Sequence, residues 1–171
     1  AEAAARQDLA NIGSYEQMVI DNLRIAGVQN TRRDERLMFQ TLEPYAGSGV
    51  LSLESLSRGA ASATAIDRDP KLVAALAANA KLLGLDAGLV ALRGDARTLL
   101  ERDTRRYDVV FCDPPFADDP WDWLLPACAR LLAPGGAVYA EAPRPIEPAG
   151  GLTLAREGRA GQVVYHLFRF A

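Results

Sequence analysis

The six residues Phe111-Cys112-Asp113-Pro114-Pro115-Phe116 constrain this chain more than any other stretch. Ahead of Asp113 lie Val109, Val110, Phe111 and Cys112, a short apolar run suited to a buried parallel strand. The prolines that follow lack a backbone N–H and have a fixed φ, so the strand stops at Asp113. Its carboxylate is left at the carboxyl edge of the sheet, where ligands of open α/β sheets collect. An acid, two stiff carbonyl-bearing prolines and an aromatic ring make a compact polar clamp with a stacking platform.

A buried parallel strand needs parallel neighbours, and the flanking sequence supplies them. Thr41 to Tyr45 reads as a first strand, although Pro44 forfeits a ladder bond there. Ala46-Gly47-Ser48-Gly49 is a tight turn, and Val50 to Ser57 a helix closed by Gly59. Ala63 to Ile66 reads as a strand ending at Asp67, and Pro70 opens a helix that runs to Leu83, with Gly84 as its stop. Leu89 to Leu92 is a third strand, followed by Gly94-Asp95 and a helix over 96–101, and 107–112 is the fourth strand. Trp121 to Leu132 reads as a helix ended by Pro134-Gly135-Gly136, and Ala137 to Ala140 as a fifth strand. After a Pro/Gly-rich loop, Leu152 to Arg156 and Val163 to Phe170 form a closing antiparallel pair. This alternation predicts an α/β fold: a doubly wound, mostly parallel sheet with a terminal hairpin.

At 171 residues the chain has room for one domain with a real core. The core domain spans 41–171 on this reading, and residues 1–40 form a helical N-terminal extension. Within it, 2–26 is helical with a break at Gly13-Ser14, and Arg32, Arg33 and Arg36 alternate with Asp34 and Glu35. A solvated helix face is the plainer account of those arginines; a phosphate-contacting patch is the sharper one. The net charge of −3 weighs against a large nucleic-acid footprint but leaves room for a local basic patch. Nearly all positive charge is arginine, the lysines being Lys71 and Lys81. Arginine suits bidentate phosphate contacts. Cys112 and Cys128 give neither a disulfide framework nor a metal-ligand spacing, so no metal is expected. With no leader-like segment and no long apolar run, the expected setting is the cytoplasm, without a membrane.

Acids recur at the strand ends. Glu43, Asp67 and Asp95 stand at or just beyond the first three strands, and Asp113 ends the fourth. The Gly-x-Gly turn resembles a dinucleotide fingerprint only weakly, since its third small position is Ser52. Asp67, about 20 residues on, is placed to take both hydroxyls of a ribose. Glu43 at the turn repels a pyrophosphate and attracts a cationic ligand that carries no phosphate. S-adenosylmethionine is such a ligand. Each acid also has a plainer reading: a turn or capping residue for Glu43, a solvated strand end for Asp67, a helix N-cap for Asp95. Together they are harder to dismiss than singly.

Glu43-Pro44-Tyr45-Ala46-Gly47-Ser48-Gly49 resembles the first motif of class I S-adenosylmethionine-dependent methyltransferases. Asp113-Pro114-Pro115-Phe116 resembles their fourth motif in the form used on exocyclic amino groups. With Leu56-Ser57-Arg58-Gly59-Ala60 and Gly161-Gln162-Val163-Val164-Tyr165, the chain is similar to the bacterial 16S ribosomal RNA guanine-N2 methyltransferase family, from about Thr41 to Phe170. Residues 1–40 depart from that pattern: they lack the basic strand pair and the Arg-Pro-Thr segment with which family members usually begin.

The resemblance implies a Rossmann-like seven-stranded sheet whose last strand is antiparallel. It implies that Glu43, Tyr45 and the turn Ala46, Gly47, Ser48 and Gly49 hold the methionine end of S-adenosylmethionine. Asp67 then holds the ribose with Arg68 beside it, and Asp95 and Ala96 lie against the adenine. Asp113, Pro114, Pro115 and Phe116 form the catalytic base site. The implied partner is 16S ribosomal RNA or the assembling small subunit, with the protein a monomer.

Other readings stay open. A DNA adenine-N6 methyltransferase shares the Asp clamp, whereas protein-amide enzymes carry Asn there. A non-catalytic cofactor-binding or assembly module of the same fold is the third. An oxidoreductase fits poorly with Ser52 and Glu43. His166 and Cys112 read as packing residues, Trp121 and Trp123 as helix-face packing ahead of a base-stacking lid, and Arg102, Arg105 and Arg106 as a solvated turn.

Overall fold

A computed structural model describes residues 39–171. The helix expected over 2–26 and the arginines of 32–36 lie outside the described residues. The elements are β1 (Gln40–Glu43), α1 (Val50–Ser57), β2 (Ser62–Asp67), α2 (Pro70–Leu82), β3 (Leu89–Arg93), α3 (Ala96–Arg102), β4 (Tyr107–Cys112), α4 (Trp121–Leu131), β5 (Leu132–Ala142), β6 (Leu152–Ala160) and β7 (Val163–Phe170). They build one 7-stranded sheet in the order β3-β2-β1-β4-β5-β7-β6. Strands β1 to β5 pair in parallel, and β7 runs antiparallel to β5 and β6. The expected α/β fold class holds. Chain order turns round at β1, which has β2 on one side and β4 on the other. Such a switch point opens a crevice at the strands' carboxyl ends.

Local chemistry sets most of the boundaries. Asp69 caps α2 by accepting the Lys71 N–H at 2.8 Å, with Pro70 at the first helical position. Asp95 caps α3 by accepting the Thr98 N–H at 2.9 Å. Helix α4 buries Trp121, Leu124, Leu125, Cys128 and Leu131, a one-sided spacing of three and four. These side chains pack on Val110, Cys112, Val138, Ala140 and Phe168 of the sheet to form the largest core cluster. The opposite sheet face holds Val109, Phe111, Ala137, Tyr139 and Leu167. Side chains alternate along each strand, so Glu43 falls on the face away from Leu42.

The sequence-based boundaries need four corrections. Strand β1 stops at Glu43, short of the expected Tyr45, so Pro44 lies beyond the ladder and forfeits no bond. Helix α4 ends at Leu131 and β5 begins at Leu132, well ahead of Ala137. Pro134-Gly135-Gly136 therefore lies inside the strand, where the pairing with β4 shifts register between Tyr107 and Val109. A bulge of this kind absorbs the extra residues. Gly136 permits it, because a Cβ there meets the carbonyl oxygens of Asp108 and Ala133 at 2.9 Å. Strand β6 continues to Ala160 rather than ending at Arg156, again past a register shift, between Leu154 and Arg156.

The arginines after α3 are exposed, as the solvated-turn reading expects, and two of them also hold local contacts. Arg105 pairs with Asp103 at 2.8 Å, and Asp103 also accepts from the Tyr107 hydroxyl at 2.7 Å. Arg106 donates to the Arg130 carbonyl at 2.6 Å. Burial works against the Asp103 charge, but the bonds from Arg105 and Tyr107 outweigh it and lower its pKa to about 2.

Candidate active site

The carboxyl ends of β1, β2, β4 and β5 open into a cleft of about 1330 Å³. Glu43, Tyr45, Ala46, Gly47, Ser48, Asp67, Arg68 and Ala96 line it, and so do Asp113, Pro114, Pro115 and Phe116. The residues expected to hold cofactor and base therefore share one cavity, with two departures. Gly49 and Asp95 do not line it. Gly49 turns toward α2, where a Cβ would run into Leu76, and it starts α1 at φ 74. Asp95 is committed to capping α3, its Oδ1 taking both the Thr98 N–H and, at 3.0 Å, the Thr98 hydroxyl. Those bonds hold its carboxyl below the ordinary value.

The wall made by β1 and its turn is built around two fixed acids. Glu43 is only 5% exposed, and its Oε2 accepts the Ser52 N–H at 3.1 Å and the Ser52 hydroxyl at 2.5 Å. Asp67 accepts the Gly47 N–H at 2.9 Å on one oxygen and the Asp69 N–H at 2.9 Å on the other. Each carboxylate oxygen has two lone pairs, so both oxygens of Asp67 retain capacity for a ligand hydroxyl. Gly47 sits at φ 55 with nothing within 4 Å of an added Cβ, leaving its backbone open to close approach. Burial pushes the Tyr45 phenol up to about 12, which keeps it a proton-bearing donor.

The opposite wall is the clamp. Solvent reaches Asp113 through the open cleft, yet protein surrounds it on most sides, and this desolvation raises its pKa above the ordinary 3.8. Pro114 is buried. Phe116 is 46% exposed, and its ring has no aromatic or cationic partner among the described residues. Arg68 approaches Asp118 at 3.9 Å, joining the β2 side of the cleft to the loop beyond the clamp.

Cys112 faces away from this chemistry. Its sulfur lies 3.5 Å from that of Cys128, both side chains fully buried, and burial raises its thiol well above the ordinary value. His166 is likewise core. It accepts the Ile146 N–H on Nε2 at 3.0 Å while Nδ1 lies 3.3 Å from the Ala140 carbonyl. Trp121 is buried, and Trp123 carries the Arg97 guanidinium 5.5 Å from its ring centre, so neither is a lid over the clamp.

Sequence reasoning missed Glu141. It is 6% exposed, lines the cleft, and follows Ala140, the residue paired with Cys112 just as Asp113 follows Cys112. The strand-end rule that found the other acids covers it, since it directly follows Ala140, the expected end of the fifth strand. The facing ends of β6 and β7 add Ala160, which no local signal marks, and Val163, which lies in the Gly161–Tyr165 segment noted above.

Known proteins share this architecture. A structure of an Escherichia coli protein provisionally described as a methyltransferase superposes with a TM-score of 0.79 at 28% identity, covering 93% of this chain and 86% of that one. The ribosomal RNA small subunit methyltransferase D of Escherichia coli strain K12 is 36% identical over 141 residues, which is 76% of this chain and 68% of that protein. A Bacillus subtilis strain 168 protein, provisionally named an rRNA methyltransferase, is 31% identical over 135 residues, 72% of this chain and 73% of that one. The family model described as Conserved hypothetical protein 95 matches residues 27–169, and the chain belongs to that family.

Proposed function

We propose that the protein transfers the methyl group of S-adenosylmethionine to the exocyclic N2 amine of a guanine in small-subunit ribosomal RNA. One observation carries this reading: the Asp113–Phe116 clamp opens into the same cleft as Glu43, Gly47 and Asp67. The names of the relatives supply the class of reaction and of substrate.

The cleft's donors and acceptors fit that cofactor. Glu43, Asp67 and Glu141 bring negative charge to a cavity whose ligand carries a sulfonium and an ammonium. Asp67 is held by two backbone N–H groups with lone pairs to spare, as ribose hydroxyls require. When bound, S-adenosylmethionine supplies a methyl on a positively charged sulfur, an excellent leaving group.

The chain's own work is positioning. A guanine amine is a poor nucleophile because its lone pair is delocalised into the ring. The Asp113 carboxylate and the Pro114 carbonyl accept its two N–H bonds, turning the nitrogen toward tetrahedral geometry. The freed lone pair then points toward the cofactor side of the cleft, and catalysis is mainly orientation and electrostatic complementarity. Asp113 takes the released proton or passes it to water. Phe116 stacks on the base, which enters unpaired or flipped out.

The test is incubation with labelled S-adenosylmethionine and, separately, naked ribosomal RNA, assembled small subunits, DNA and protein extract. Label in ribosomal RNA, recovered as N2-methylguanine after digestion, supports the reading. Label in DNA moves it to adenine-N6 transfer. Cofactor binding with no transfer to any substrate leaves a binding module and overturns it.

A further inference from the structure

The loop after the clamp is held from outside itself. Asp118 closes a turn by donating its N–H to the Pro115 carbonyl at 3.0 Å. Asp119 follows at φ 37, the one positive φ outside glycine among the described residues. One terminal nitrogen of Arg144 donates to both carboxylate oxygens of Asp119, at 2.7 and 2.9 Å. The other terminal nitrogen of Arg144 donates to the Pro145 carbonyl at 3.1 Å, which aims the guanidinium.

Arg144 projects from a fixed base. Two residues on, Ile146 is 4% exposed and its N–H is bonded to the buried His166 ring at 3.0 Å. Farther along the same segment, Gly150 lies so close to α4 that a Cβ would stand 2.8 Å from the Pro126 backbone. The segment after β5 is therefore tied to β7 and to α4, while the loop carrying Phe116 spans open surface between β4 and α4.

The geometry points to Arg144 as a positioning residue: through Asp119 it sets the loop that carries Phe116, and with it how firmly the target base is held. The inference rests on the reading of the clamp as the base site. Asp113 does not depend on this clasp, because it directly follows Cys112, which is laddered to Ala140. Releasing the clasp thus loosens the stacking ring and leaves the amine-facing acid in place. Base binding suffers and the transfer step does not. Both side chains are about half exposed, at 52% and 53%, so water screens the pair and the effect is modest, at most about fivefold.

The experiment uses the full chain and the variants Arg144→Ala, Arg144→Lys, Asp119→Asn and the Arg144→Ala/Asp119→Asn double. Asn tolerates the positive φ, so that change removes charge without backbone strain. Three quantities are read: amide hydrogen exchange over residues 114–120, S-adenosylmethionine affinity, and KM and kcat with naked small-subunit ribosomal RNA. Each single loss is expected to speed exchange in that segment alone and to raise the RNA KM about three- to fivefold. Cofactor affinity and kcat stay within twofold, the double matches the singles, and Arg144→Lys recovers part of the KM. Unchanged exchange, additive effects in the double, or a fall in kcat at constant KM overturns the inference. If the wild type labels no RNA, the proposed function fails, and the exchange data still decide whether the clasp orders the loop.

Discussion

Ser52 donates its backbone N–H, at 3.1 Å, and its hydroxyl, at 2.5 Å, to a single carboxylate oxygen of Glu43. Ser52 is fully buried and Glu43 nearly so. The bond ties the first turn of α1 to the end of β1 and fixes the acid that faces the cleft. It also explains why a serine, rather than glycine or alanine, stands at the third small position after the turn. Ser52→Ala takes a donor from a buried charge and should cost about 2 kcal/mol of stability. It should also weaken S-adenosylmethionine binding more than it affects Asp113-dependent chemistry. Urea unfolding and cofactor titration on the same variant check both; unchanged affinity would separate Glu43 from the cofactor.

Asp113→Ala should abolish methyl transfer while cofactor binding survives, because the clamp and the turn approach the cleft from different strands. Calorimetric titration with S-adenosylmethionine beside a transfer assay reads the two separately. Turnover near the wild-type level removes Asp113 from the mechanism.

The pH dependence of transfer should carry the signature of the same residue. Desolvation raises the Asp113 pKa above 3.8, and only the ionised form can both accept its amine hydrogen as a carboxylate and take the released proton. Activity is therefore present above that raised value and is lost as pH falls through it. Single-turnover rates across the acid range should show the limb above the ordinary carboxylate position. A limb at or below 3.8 contradicts the assignment.

His166 makes a prediction about stability. Burial lowers its pKa from 6.5, partly offset by the Ala140 carbonyl and by Glu157, whose carboxylate lies 3.6 Å away. The native state keeps the ring neutral while the unfolded chain takes up a proton below 6.5, so stability from this residue is complete above 6.5 and declines as pH drops beneath it. Unfolding midpoints between pH 7.5 and 5.5 should fall for the wild type. In His166→Leu the slope over that window should shrink, with an overall loss of about 1–3 kcal/mol from the unpaired Ile146 N–H.

The two glycines of the turn should respond differently to alanine. Gly47→Ala meets only the cost of a positive φ, about 1–2 kcal/mol. Gly49→Ala meets that cost and also drives its Cβ into Leu76 of α2, which is 2% exposed and has little room to retreat. Thermal unfolding of the pair should rank Gly49→Ala as clearly the more damaging; equal losses argue against the packing account.

The sequence alone determined whatever depends on near neighbours along the chain. Two prolines keep β4 from running past Cys112 and Asp113, Asp69 and Pro70 start α2, and the apolar runs between turns lay down the order of strands and helices. Those effects act over a few residues, so they are written in local order. The tertiary structure decided what depends on register and distant pairing. Glu141 joins Asp113 at the cleft because β5 pairs Ala140 with Cys112, and Ser52 meets Glu43 because α1 folds back over β1. Asp95 kept its local role as a helix cap and stayed off the cleft wall, and Asp119 found Arg144 across a gap of 25 residues. No local rule carries such contacts, because each exists only after the sheet has brought remote segments side by side.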